Sequence, residues 1–139
     1  MTTQVRTATT MFPFAEYADA HAAIDWLCDA FGFERRQVHE DGGVVVHAEL
    51  GWGASVFMIS NASGNGLGLR SAREAGGVTG GVYVIVDDVD GHHARAEAAG
   101  AEIVRPPEDT FYGSREYTAR DLEGHLWSFG TYRPSGGGA

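Results

Sequence analysis

Residues 120–132 read RDLEGHLWSFGTY, in which the turn DLEG is followed by a segment where Trp127 and Phe129 alternate with small residues. Residues 115–120 and 126–131 flank this turn and predict the two strands of an antiparallel hairpin. Upstream, GVYVIV is typical of a strand, GHHARAEAA of a helix that stops at Gly100, and AEIVR of a further strand. This half of the chain therefore has the predicted order βαβββ.

The first half repeats this order. Asp19 suits the N-cap of a helix in DAHAAIDWLCDAFGF, where apolar side chains recur at helical spacing before Gly32 stops it. Placing Gly32 on Gly100 also places Asp19 on Asp87, which indicates an internal duplication. The strands of this half are predicted at residues 10–14, 36–39, 44–50 and 54–60.

These patterns predict one α+β domain made of two tandem βαβββ units. Neither unit can bury its own sheet, so each needs the other to complete a core. The segment between the units is rich in Gly, Ser and Asn and predicts a linker, which could also cover a ligand. The expected organisation is a tail at 1–9, a domain at 10–132 with units 10–60 and 81–132 and linker 61–80, and a tail at 133–139.

Composition narrows the classes of function. A length of 139 residues fits one domain, and 43% hydrophobic with 21% charged residues is the balance of a globular protein without a membrane span. The N-terminal stretch lacks the apolar region of a secretory signal, so we expect a cytoplasmic protein. The lone Cys28 cannot form an internal disulfide. A net charge of −9 argues against nucleic-acid binding and favours cationic ligands.

The order and spacing of three motifs carry a family resemblance. AAIDWLCDAFGFE, VDDVDGHHARAEAAGAEIV and RDLEGHLWSFGTY together resemble the vicinal-oxygen-chelate superfamily, which includes glyoxalases, bleomycin-resistance proteins and extradiol dioxygenases. The run YGSREYTARDLEGH is most similar to bleomycin-resistance-like proteins and glyoxalase-like proteins of undefined activity. Leu122 departs from the usual proline of the closing turn. The resemblance implies cupped mixed sheets around a pocket and a homodimer.

The resemblance also implies where a metal would be held. In the enzymes of the family, His, Gln or Glu ligands occupy the first and last strands of each unit. The matching positions here are Phe12, Met58, Gly81 and Ser128. None of these offers a strong metal donor, and shifting the register by a residue does not supply one. We therefore expect no metal cofactor and no catalytic residue at the family site.

His47 and Glu49 are the best remaining metal or acid–base pair. They alternate on one predicted strand and so share a face. An outward-facing hydrogen-bonded pair is the simpler interpretation, because two ligands without a third rarely hold a catalytic metal. The alternative is a divalent metal such as Ni, Zn, Mn or Fe bound by this pair.

Aromatic and polar residues at the family positions and in nearby loops favour ligand binding. The expected lining is mostly apolar with a few polar tips, which suits a planar or amphipathic molecule. Trp127 and Phe129 are instead expected to face the helix layer, and Trp26 is expected to belong to the first helix. The candidate ligand-binding residues are Phe12, Trp52, Met58, Tyr83, Tyr112, Arg115, Tyr117 and Ser128.

Two main functional hypotheses follow. The first is a metal-independent small-molecule-binding protein that sequesters an antibiotic or another metabolite, with a cationic or aromatic ligand and no nucleic-acid or membrane partner. The second is an enzyme, a glyoxalase-like lyase, isomerase or dioxygenase with non-standard metal ligands. A module that only binds a partner protein is the third possibility. The vacant metal positions favour the first.

Overall fold

The computed structural model describes residues 9–63 and 66–134, so most of the predicted tails at 1–9 and 133–139 lies outside the described residues. The described chain has α+β architecture, as predicted. In chain order, its elements are β1 (Phe14–Tyr17), α1 (Ala20–Phe31), β2 (Glu34–Asp41), β3 (Val44–Trp52), β4 (Ser55–Asn61), α2 (Ala72–Ala75), β5 (Gly81–Ile85), α3 (Val89–Ala98), β6 (Glu102–Asp109), β7 (Arg115–Arg120) and β8 (Leu126–Gly130).

The two halves of the chain have the same topology, which confirms the predicted duplication. Strands β1, β4, β3 and β2 form the first sheet in that order, and β5, β8, β7 and β6 form the second sheet in the equivalent order. In each sheet the first strand pairs in parallel with the last strand of its unit, and the other pairs are antiparallel. The sheets are therefore mixed, as expected.

The first helix was placed well by its end signals. The Asp19 side chain accepts a hydrogen bond from the amide of Ala22 at 3.1 Å, and Gly32 ends the helix with a left-handed φ of 83°. Glycine adopts this conformation without a Cβ clash. Helix α3 begins one residue later than the match of Asp19 to Asp87 predicts, because its N-cap is Asp88. Its C-cap is Ala99, and Gly100 follows it.

One other prediction was wrong in detail. The first strand was expected at residues 10–14 but covers Phe14–Tyr17. Pro13 has no amide hydrogen to donate to a sheet, although its carbonyl still accepts from Met58 at 3.0 Å. The linker at 61–80 contains the short helix α2, which Ser71 caps by accepting from the amide of Glu74. Its single turn is too short to show apolar periodicity.

The core lies between the helices and one face of each sheet. Phe31 of α1 packs against Trp127 and Phe129 of β8, with ring centroids 5.7 and 4.8 Å apart. Both β8 rings are almost fully buried, as predicted from their alternation with Ser128. Trp26 lies on α1 and donates to the carbonyl of Ala99 at 3.2 Å. Contacts of this kind join the two units into one core.

The closing hairpin ties the second unit to the first. One oxygen of the buried Asp121 carboxylate accepts from the Tyr17 hydroxyl at 2.6 Å and from the Trp127 indole at 3.0 Å. The neighbouring Glu123 carboxylate accepts from the amides of Ala18 and Asp19 at 2.7 and 2.9 Å. The two acidic residues of the turn therefore hold the end of β1 in place through these hydrogen bonds.

Two smaller observations concern Cys28 and membrane spans. Cys28 is half-buried on α1, and burial raises the pKa of its thiol, which favours the unreactive form. Among residues 9–63 and 66–134, no helix is long and apolar enough to cross a membrane.

Candidate functional site

Each sheet has one face against the helices and an opposite face free of them. On β8, Trp127 and Phe129 point into the core, so Ser128 between them points the other way. The strand register places Ser128 between Tyr83 on β5 and Thr118 on β7. We call this side the open face of the second sheet. Its polar residues include Tyr83, Arg105, Glu116, Thr118 and Ser128.

Glu116 is the central charged group of this open face. Its side chain is 8% exposed, and both carboxylate oxygens lie 3.0 Å from the hydroxyl of Tyr112. The guanidinium of Arg105 lies 3.9 Å from the same carboxylate. The hydrogen bond to Glu116 raises the pKa of Tyr112, because it stabilises the protonated phenol. The result is a preformed hydrogen-bond acceptor with two polar neighbours.

A second polar group lies next to Glu116. The hydroxyls of Thr118 and Ser128 are 2.8 Å apart, and Arg105 donates to Thr118 at 3.4 Å. Tyr83 donates to the carbonyl of Tyr132 at 2.7 Å, and burial is the main reason that the pKa of Tyr83 is raised. These phenols and hydroxyls stay neutral near neutral pH. They can therefore donate or accept hydrogen bonds without adding charge.

Gly130 makes room for this arrangement. A Cβ at Gly130 would lie 2.5 Å from Cγ of Glu116 and 2.8 Å from the hydroxyl of Tyr83. Any side chain there would displace both groups. Sequence reasoning missed Gly130, Arg105, Thr118 and the role of Glu116. The available signal was strand alternation, since Glu116 and Thr118 share the side of the hairpin predicted for Ser128.

Two cavities flank the segment before β1. The first, of about 630 Å³, is lined by Phe12 and Gly81 together with the linker. The second, of about 470 Å³, is lined by Trp52 and Tyr83, and its wall also includes Pro13. The indole of Trp52 donates to the carbonyl of Ile85 at 3.0 Å, which fixes the ring at this wall.

The predicted ligand-binding residues therefore separate into groups. Tyr83, Tyr112 and Ser128 come together at the open face of the second sheet. Phe12 lies at the first cavity and Trp52 at the second, while Met58 lies on the first sheet opposite Phe14 and Glu49.

Tyr117 and Arg115 are corrections to the predicted lining. Tyr117 is fully buried in the core, where its hydroxyl contacts His92 at 2.6 Å. It is adjacent to Thr118 in the strand and so faces the opposite side. Arg115 binds the carboxylates of Asp90 and Asp109, and hydrogen bonds to them raise the pKa of its guanidinium. Neither side chain belongs to the open face.

The four positions expected for the family metal carry no carboxylate or imidazole, and the first of them, Phe12, lies before β1 and not on it. Phe12 and Met58 have no suitable donor, and the hydroxyl of Ser128 is shared with Thr118. A Cβ at Gly81 would lie 2.7 Å from the carbonyl oxygen of Leu126, so a ligating side chain does not fit there without movement of the backbone. These four positions therefore present apolar groups and one hydroxyl.

The alternative pair is hydrogen-bonded but has no third donor. Nε2 of His47 lies 2.9 Å from Glu49, and both side chains are partly exposed. The neighbouring His39 stacks on His47 and contacts Gln37 at 2.9 Å. In the part of the chain that the structure describes, no three His, Cys, Asp or Glu residues are grouped to hold a metal. The pair fits the simpler interpretation given above.

The family model of the Glyoxalase/Bleomycin resistance protein/Dioxygenase superfamily matches residues 16–129. The chain belongs to this superfamily. Among curated proteins, the uncharacterized protein Rv0887c of Mycobacterium tuberculosis is 33% identical over 115 residues, which cover 81% of this chain and 68% of that protein. The uncharacterized protein Mb0911c of Mycobacterium bovis is also 33% identical over 115 residues, covering 81% of this chain and 76% of its own.

Solved structures of the superfamily have the same fold. TioX from Micromonospora sp. ML1 is 37% identical with a TM-score of 0.70, covering 88% of this chain and 94% of TioX. The fosfomycin resistance protein FosX from Listeria monocytogenes has a TM-score of 0.68 and covers 93% of this chain and 97% of FosX. At 14% identity, FosX supports the fold alone.

Proposed function

We propose that this chain is a metal-independent small-molecule-binding protein that sequesters an antibiotic or another metabolite. The observation that carries the proposal is the preformed polar group around Glu116, on the sheet face where the superfamily fold suggests a ligand. The four vacant metal positions support binding without a metal. The name of the superfamily, which includes bleomycin resistance proteins, supports sequestration as the biological purpose.

The residues on this face favour a ligand with both aromatic and cationic parts. The Glu116 carboxylate can accept from a ligand ammonium or amide, and such charge-assisted bonds are strong when shielded from water. Phe111 is fully exposed at the rim, with its ring 5.1 Å from that of Tyr112. Exposed aromatic rings at the rim of a polar surface are suited to stacking on a planar ligand.

The proposal includes a homodimer. The open face of the second sheet has no helix over it in a single chain, and ligand pockets normally bury most of the ligand. A second copy placed over this face would enclose the ligand between subunits. Sedimentation of the purified protein with and without ligand tests this part: a monomer under both conditions contradicts it.

The test of binding uses bleomycin together with other basic or aromatic antibiotics. We expect at least one to raise the melting temperature and change the tryptophan fluorescence at one ligand per site. The ligand should be recovered with its mass unchanged after incubation, because sequestration involves no reaction. Glu116→Gln should weaken binding about tenfold, which is the size of one charge-assisted hydrogen bond. Glu97→Gln, which changes an exposed carboxylate on helix α3, serves as the matched control.

Two further measurements distinguish metal-independent binding from a metal-dependent enzyme. Treatment with a chelator should leave the affinity for the antibiotic unchanged. Elemental analysis should find no stoichiometric Ni, Zn, Mn or Fe. A bound metal that is lost in the His47→Ala, Glu49→Ala double variant, or a ligand returned with altered mass, would contradict the proposal.

A further inference from the structure

Glu16 on β1 is a buried carboxylate with an unsatisfied oxygen. The residue is 2% exposed, and Oε1 has no hydrogen-bond partner among the described residues. Burial of an ionised carboxylate is unfavourable unless a charge or hydrogen-bond donor compensates it. The other buried carboxylates discussed above, Asp121, Glu123 and Glu116, all have such donors. Glu16 is therefore an exception within its own fold.

Glu16 lies in the wall of the first cavity. This cavity, of about 630 Å³, also contains the aromatic residues Phe14, Phe57 and Trp127 in its wall, and the linker residues Ala72 and Ala75 cover it. The polar group around Glu116 is not part of its lining. The cavity therefore does not contain the polar group to which the proposed function assigns the ligand.

The two other ionisable residues of this wall do not pair with the Glu16 carboxylate. Nε2 of His125 contacts the backbone carbonyl of Glu16 at 3.3 Å, not its side chain. Arg70 is exposed and forms no ion pair among the described residues. Arg73 of α2 lies 3.6 Å from the carboxylate of Glu123 and forms an ion pair with it. No cation of the described chain therefore neutralises Glu16.

We propose that this cavity is a second binding site, in which Glu16 receives the protonated amine of a ligand with an aromatic or apolar body. A carboxylate supplies the counter-charge, and rings that can stack on an aromatic body or face its ammonium line the same space. A neutral ligand of the same shape would leave the carboxylate unpaired. The site therefore selects for charge as well as for shape. This inference is independent of the proposed function.

The experiment compares 2-phenylethylammonium with 2-phenylethanol, which has a similar shape but no charge. Binding to the full chain is followed by calorimetry and by fluorescence, since Trp127 lines the cavity. We expect the ammonium to bind at least tenfold more tightly than the alcohol. Absence of binding, or equal affinity for both probes, overturns the proposal.

Glu16→Gln keeps the shape of the side chain and removes its charge. This variant should lose the preference for the ammonium while its melting temperature stays equal to or above that of the wild type. Glu74→Gln is the matched control, because Glu74 is an exposed carboxylate on the covering helix α2 and is not in the cavity wall. It should bind both probes as the wild type does. A Glu16→Gln variant that still prefers the ammonium overturns the proposal.

Arg70→Ala distinguishes a ligand from an internal counter-ion. If the site serves a ligand cation, removal of the nearby guanidinium should strengthen ammonium binding and leave the melting temperature unchanged. A fall in melting temperature that disappears in the Glu16→Gln, Arg70→Ala double variant would show that Arg70 neutralises Glu16 in solution, which overturns the proposal. Glu116→Gln should not affect the ammonium, so failure here and failure of the proposed function are separately visible.

Discussion

Nδ1 of His92 lies 2.6 Å from the hydroxyl of Tyr117, and Nε2 of the same ring lies 2.7 Å from the carbonyl oxygen of Phe31. The carbonyl can only accept, so Nε2 carries the proton, and Nδ1 of the neutral ring accepts from the phenol. Burial is the main cause that lowers the pKa of His92, and the nearby Arg95 lowers it further. His92 thus joins α3 to α1 and β7 in its neutral form.

We expect stability to fall as the pH drops below about 6.5, the pKa of an unperturbed histidine in the unfolded chain. Above that pH both states hold His92 neutral; below it the unfolded state binds the proton first, because the folded pKa is lower. His92→Gln should flatten the dependence of the melting temperature on pH below about 6.5. His93→Gln, at the next position, should retain the wild-type slope. Parallel profiles for all three proteins would show that His92 does not cause the effect.

Asp121→Ala should be strongly destabilising. The substitution leaves the buried Tyr17 hydroxyl and Trp127 indole without their acceptor and also removes the acceptor for the amides of Glu123 and His125. We expect a loss of about 3–5 kcal/mol in the free energy of unfolding, measured by urea denaturation. Asp109→Ala is the control, since it breaks only an ion pair whose acidic side chain is 82% exposed. Similar losses for the two variants would contradict this role of Asp121.

Gly130→Ala should disturb the open face of the second sheet. The added methyl group would meet Glu116 and Tyr83 at distances too short for contact. We expect a loss of about 1–3 kcal/mol in stability, which is typical of overpacking, together with weaker binding of the antibiotic. Gly80→Ala is the control: its added methyl has nothing within 4 Å, so the stability and the affinity for the antibiotic should stay unchanged. Unaltered antibiotic affinity in Gly130→Ala would remove Glu116 from the binding surface.

Phe111→Ser should weaken ligand binding without changing stability. The ring is fully exposed, so its removal creates no cavity. We expect the affinity for an aromatic antibiotic to fall about threefold to tenfold, as for the loss of one stacking contact. Val44→Ser, on an exposed side chain of β3, should not change the affinity. Titration calorimetry measures the affinity of each variant. A lower melting temperature for Phe111→Ser would instead indicate that the ring makes a structural contact.

Much of the fold could be predicted because its signals are local. Asp19 and Gly32 define α1 through their own backbone preferences, and the apolar alternation of Trp127 and Phe129 defines the buried side of β8. The first strand was misplaced because its position depends on pairing with β4. Pro13, inside the predicted strand, has no amide hydrogen to donate to that pairing. That pairing partner lies more than forty residues away in sequence.

The candidate site could be predicted only in part. Tyr83, Tyr112 and Ser128 were found from loop and family positions, but Glu116 was not among the candidate residues. Its neighbours come from β6 and from the loop before β7, and only the fold brings them together. The burial of Glu16 could not be predicted either, because Glu16 lies on β1, and that strand was expected at residues 10–14.

The close approach of Gly81 to the carbonyl of Leu126 limits how this protein can be engineered. A Cβ 2.7 Å from a backbone oxygen cannot be accommodated by rotating a side chain, so β5 and β8 would have to move apart. Grafting a metal centre onto this scaffold therefore requires redesign of that strand pair before any ligand residue is introduced. Directed evolution toward metal-dependent chemistry would have to begin with backbone changes that have no catalytic benefit of their own.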